Sequence, residues 1–168
     1  MFSTILLLIF PALMIYAGVA DLLYMRIANG LVGLIVLAYV ALTILGGSTW
    51  PEISMSLAAA AIVLAISFAF FAFGWIGGGD AKLVSATALW LGFGLMLQYM
   101  IYAALLGGAL TLIILALRRH PLPPWLARSA WINRLHNPKT GVPYGIALAA
   151  AALLVYPETL LFKHFAGL

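Results

Sequence analysis

Apolar residues run unbroken from Ile5 to Ala20 and then meet an aspartate, Asp21. The pattern recurs down the chain as long apolar blocks, ended by glycines, prolines or isolated charges. A membrane-spanning helix needs about 20 mainly apolar residues. Blocks of that kind cover Phe2–Ala20, Gly30–Gly46, Ile53–Phe73, Lys82–Leu97, Tyr99–Leu117 and Val142–Leu161, which predicts about six transmembrane helices. Only Gly92, Gly94 and Gln98 divide the fourth block from the fifth, enough for a tight turn. A re-entrant hairpin is the alternative there, and it would change the topology of all that follows.

Composition agrees with this pattern. Hydrophobic residues make up 66% of the 168 positions and charged residues 7%, against roughly 25% charged in a soluble domain. The expected fold is all-α: a polytopic membrane protein formed as one embedded domain over residues 1–168, with a loop at about 118–141. Lys and Arg collect in short cytoplasmic loops. With the N-terminus outside, Arg26, Lys82, Arg118, Arg119, Arg128, Arg134 and Lys139 fall inside, and only Lys163 joins Glu52, Glu158 and the C-terminus outside. The net charge of +4 is then topological and does not point to nucleic acid. Met1–Ala20 has no Lys or Arg and reads as a retained first span, not a cleaved signal.

Smaller features fill in the outline. Pro121, Pro123, Pro124 and Pro138 break the long loop, and Trp125–Leu135, with its tryptophans and arginines, suits a short interfacial helix. The stretches Leu57–Ala61 and Ala147–Ala152 and the pairs Gly46-Gly47 and Gly107-Gly108 favour close helix packing. The absence of cysteine excludes disulfides, thiolate metal sites and cysteine nucleophiles.

Candidate chemistry rests on two residues. An ionisable group at or inside the bilayer boundary is a functional-site candidate, and the assignment of loops places Asp21 and Asp80 at the cytoplasmic ends of their helices. Asp80 closes Gly77-Gly78-Gly79-Asp80, where three glycines give a side-chain-free approach for a peptide backbone. Helix capping is the plainer explanation of Asp80, and an exposed helix end that of Asp21. Together, two close carboxylates share a proton, so that one can take a proton from water while the other gives one to a substrate carbonyl. His120, His136 and His164 lack metal-ligand spacing. The serines lack a nucleophile-elbow motif, and the glycine run lacks the Lys-Ser/Thr of a phosphate loop. No metal and no cofactor is expected.

Three ordered motifs carry a resemblance: Asp21 with Arg26-Ile27-Ala28-Asn29; Gly77-Gly78-Gly79-Asp80-Ala81-Lys82-Leu83; and Lys139-Thr140-Gly141-Val142-Pro143-Tyr144-Gly145-Ile146-Ala147. In this order they resemble the type 4 prepilin peptidases, membrane aspartic peptidases with a glycine-x-glycine-aspartate motif. The resemblance implies an aspartic endopeptidase of the bacterial inner membrane that removes prepilin leaders at the cytoplasmic face. It carries the catalytic pair onto Asp21 and Asp80. Gly77, Gly78, Gly79, Lys82, Asn29, Lys139, Pro143 and Tyr144 become supporting or substrate-binding candidates, and prepilin-like precursors and lipid the expected partners. Larger members also methylate the new N-terminus and carry paired cysteines in an extra cytoplasmic segment. Lacking both segment and cysteines, this chain is similar to the short, peptidase-only branch that serves tight-adherence (Flp-type) pili. Ala28 stands where the family often has proline, which leaves the geometry of that loop open.

Two other classes compete. A small proton- or cation-coupled transporter or channel subunit would use the same aspartates, but the chain shows no inverted repeat of the kind common in transporters. In a structural assembly subunit the aspartates would merely cap helices. Lys82 and Lys139 would bias aspartate ionisation if they faced the pair; otherwise they mark topology.

Overall fold

A computed structural model of the chain describes residues 2–167 and is all-helical among them. Its helices are α1 (Phe2–Tyr24), α2 (Asn29–Leu45), α3 (Trp50–Ala72), α4 (Gly78–Leu117), α5 (Pro124–Ala127), α6 (Ala130–His136), α7 (Gly145–Val155) and α8 (Leu160–Ala166). One 3-10 turn, Tyr156–Glu158, precedes the last. Three helices are long and apolar enough to cross a membrane, at Thr4–Tyr24, Trp50–Ala72 and Gly78–Leu117. A fourth span results if Gly145–Glu158 and Leu160–Ala166, bent by 53°, are counted as one. At 17 residues α2 falls short.

The expected boundary between a fourth and a fifth span takes an unusual form. α4 counts 40 residues and leaves helical geometry only at Gly92 (φ 60°, ψ −175°), a conformation natural to glycine and strained for other residues. A straight helix of that length would measure about 60 Å. Asp80 and Arg118, near its two ends, nevertheless meet the same end of the molecule. Arg118 donates to the carbonyls of Leu135 (2.8 Å), Thr140 (3.2 Å) and Gly141 (3.0 Å), in the segment that leads to Gly145 at the Asp21 carboxylate. The chain therefore doubles back at Gly92, where Ser56 of α3 lies near the turn.

Periodicity decides what is buried. α1 turns Leu6, Phe10, Met14, Ala17 and Asp21 inward, and α2 does the same with Leu31, Ile35, Tyr39 and Leu42. Both sets recur every three or four residues, one face of a helix. Residues 83–91 of α4 are buried on every side, so this limb is the axis around which the others pack. α3 buries only Ala59 and Ser67. The block Leu57–Ala61 is therefore mostly outward-facing, whereas Ala147, Ala149, Ala151 and Ala152 in the second alanine block are buried. Ser67 joins α3 to α4 by donating to the Ala81 carbonyl and meeting the Ser85 hydroxyl, both at 3.2 Å.

At the end opposite the aspartates, Pro11 lies inside α1. Proline has no N–H, so the carbonyl four residues earlier, that of Leu7, loses its helical partner. The Tyr156 hydroxyl donates to it at 3.1 Å. Tyr156 also packs on Phe10 at 4.9 Å, and Phe10 on Trp90 at 4.5 Å. In the long loop the expected helix Trp125–Leu135 is instead two short helices, α5 and α6, separated at Arg128 and Ser129. Arg134 fixes the second by donating to the Leu23 carbonyl in the last turn of α1 (3.0 Å). The two glycine pairs differ. Gly47 turns the chain after α2 with φ 63°, while Gly107 makes room for the ring of Tyr144.

Candidate active site

Asp21 lies in the last turn of α1, on its inward stripe, with only 6% of its surface exposed. Gly145, the first residue of α7, donates its backbone N–H to Asp21 Oδ2 at 2.7 Å. The first N–H groups of a helix have no intrahelical acceptor and attract anions, so the start of α7 supplies what a buried carboxylate needs. The approach depends on the missing side chain. A Cβ on Gly145 would lie 2.7 Å from Asp21 Oδ2 and 3.0 Å from its Cβ and Cγ. One turn before Asp21, Gly18 also faces α7, but there a Cβ would meet Ala149 and Ile146 at ordinary contact distance, so the close fit is particular to Gly145.

Asp80 enters from the start of α4, half-buried. Gly77 holds the N-cap position of that helix and Asp80 stands three residues in. Its carboxylate folds back over Gly77, where a Cβ would stand 3.0 Å from Oδ2. Gly78 lies under the Phe71 ring of α3 and Gly79 against Ile27 of the loop after α1, so a side chain on either would press on the neighbouring element. Both carboxylates open into one cleft of about 570 Å³, lined also by Tyr16, Ala20, residues 24–29 and Gly77–Gly79.

The other expected residues divide. Asn29 lines the cleft and accepts from Lys82 Nζ at 2.9 Å, so that Lys82 bridges two cleft walls and does not line the cleft. Lys139 is exposed in the loop before α7 and is not part of the lining. Pro143 is fully buried and does not line the cleft. Tyr144 is not part of the lining; its ring rests on Gly107 and its hydroxyl donates to the Ala103 carbonyl at 3.2 Å. Ala28 has φ −68° and ψ 139°, the φ that proline would impose, so the loop keeps that geometry without it.

Sequence reasoning gave no role to Gly145, although it stands in the third motif, nor to Tyr16, Tyr24 and Met25. Met25 is the non-glycine residue with positive φ among the described residues (51°). Its N–H closes α1 on the Asp21 carbonyl at 2.8 Å, where glycine is usual; no sequence pattern signals it. The spacing of the tyrosines did carry a signal, since they recur at every fourth position with Ala20.

Chemically, the cleft places two carboxylates from distant parts of the chain beside a run of three glycines. That combination suits acid–base attack on a peptide bond. Residues 8–112 match the family model described as the type IV leader peptidase family. No curated protein and no solved structure matches the chain.

Proposed function

The chain belongs to the type IV leader peptidase family, and from that premise we propose that it is an aspartic endopeptidase using Asp21 and Asp80 as its catalytic pair. One observation carries the reading: the two carboxylates share a single cleft. With one ionised and the other protonated, the ionised group takes a proton from water, whose oxygen attacks the scissile carbonyl carbon. The protonated group gives its proton to the carbonyl oxygen. In the resulting tetrahedral adduct the C–N bond breaks. The first carboxyl returns its proton to the leaving nitrogen, the second recovers one from a hydroxyl of the adduct, and both regain their starting states.

The substrate is a prepilin-like precursor with a short basic leader ahead of an apolar helix. Cleavage takes place at the cytoplasmic face of the bacterial inner membrane. The basic residues support that side: Arg26 lines the cleft, while Arg118 and Arg134 are bound near it. Six spans with both termini outside accord with the doubling back at Gly92. A peptidase without methyltransferase activity, serving Flp-type pili, fits a chain without cysteine.

The test is mass spectrometry of a candidate precursor incubated with purified protein. Asp21→Asn and Asp80→Asn should each lower cleavage by about 10²–10⁴-fold or more while still inserting into membranes. Wild-type rates in either variant would refute the assignment, and methylated product would refute the peptidase-only branch.

A further inference from the structure

One wall of the cleft is not used by the catalytic pair. Tyr16, Ala20 and Tyr24 recur every four residues along α1 and all line the cleft, so they form one line beside the stripe that carries Asp21. Tyr16 is 62% exposed and Tyr24 65%; Ala20 between them leaves a notch. Tyr24 ends its helix, where an aromatic ring suits the headgroup layer. Tyr16 lies two turns deeper, about 12 Å along the axis. At that depth a headgroup anchor has no headgroup, and a hydroxyl facing hydrocarbon is unfavourable.

We infer that the Tyr16–Ala20 face of α1 is the docking surface for the first turns of the substrate's apolar helix, on the C-terminal side of the scissile bond. This rests on the leader-peptidase reading, and the polarity of the cleft supports it. The basic leader belongs at the wet end, beside Tyr24, Met25 and Arg26. The apolar helix must continue into the bilayer, the direction that leads from Asp21 back to Tyr16. Helices approach closely where one offers a small residue, which Ala20 does between two rings. A peptide bond reaching the aspartates is extended, so nearby carbonyls lose their helical donors. The Tyr16 hydroxyl is a donor at that level.

The test replaces Tyr16 or Tyr24, one at a time, with the photo-cross-linker p-benzoylphenylalanine in an Asp80→Asn background. The probe is a synthetic precursor with a Lys/Arg leader and an apolar helix of about 20 residues. Mapping should place position-16 adducts in the first turns of the helix and position-24 adducts in the leader. Adducts in the leader from position 16, or adducts to lipid alone, would overturn the inference. In parallel, Ala20→Leu should raise KM for the whole precursor at least tenfold more than for a peptide ending just after the scissile bond. Equal effects on both would also overturn it. Wild-type protein is assayed on the same precursor. If it cleaves while these results fail, only the docking surface is wrong; if it leaves the precursor intact, the peptidase reading falls and the inference with it.

Discussion

Gly145 holds Asp21 by a single 2.7 Å bond from its backbone N–H, so the placement of the carboxylate depends on a residue with no side chain. Gly145→Ala would set a methyl group 3.0 Å or less from three atoms of Asp21. Two of these, Cβ and Cγ, belong to a short side chain fixed to α1 and have little freedom to yield. Displacement of a catalytic group by about 1 Å costs on the order of 10²-fold in rate. We expect that loss in cleavage assays of Gly145→Ala, with normal insertion; full activity would show that the bond does not position Asp21. At this scale the sequence revealed the pair itself, because an acid after sixteen apolar residues has few plain explanations. The donor was hidden, because a backbone N–H has no letter of its own. Lys82 shows the opposite limit: its place near Asp80 in sequence left open whether it faced the pair or marked topology, and its stem carries the ammonium across to Asn29.

At the scale of elements, the apolar blocks located the long helices but not the buried faces of α1 and α2, since an almost wholly apolar run has no polar side to set against them. Continuous burial of residues 83–91 left no periodicity to read, since a helix packed on all sides needs none. The turn at Gly92 was visible only as a cluster of glycines and Gln98. The structure assigns the reversal to one residue with φ 60°. Gly92→Ala should therefore destabilise the protein by about 1–3 kcal/mol, seen as a lower thermal midpoint in detergent. An unchanged midpoint would argue against a glycine-specific turn. Pro11 poses a similar question with another answer, since its cost is met across the bundle by Tyr156. Tyr156→Phe should leave the Leu7 carbonyl unpaired and cost about 1–2 kcal/mol. Stability equal to wild type would mean that the carbonyl finds another donor.

For the whole molecule, the two ends of the bundle differ in kind. One gathers Arg26, Lys82, Arg118 and Arg134 around the aspartates. The other holds the aromatic cluster of Phe10, Trp90 and Tyr156, the Gln98–Glu158 bond and α8 with Lys163. The distribution of basic residues in the sequence anticipated this separation, because loop charge and helix count constrain each other. It did not anticipate that Arg118 and Arg134 are held by backbone carbonyls, since charge counts carry no contact information. If the aspartate end is cytoplasmic, Arg119 and Lys163 lie on opposite sides of the membrane. The chain has no cysteine, so Arg119→Cys and Lys163→Cys each give a single reporter without background. A membrane-impermeant maleimide should label Lys163→Cys in intact spheroplasts and Arg119→Cys only after permeabilisation. Labelling of both in intact spheroplasts would place Arg119 on the outer side and overturn the cytoplasmic assignment of the aspartate end.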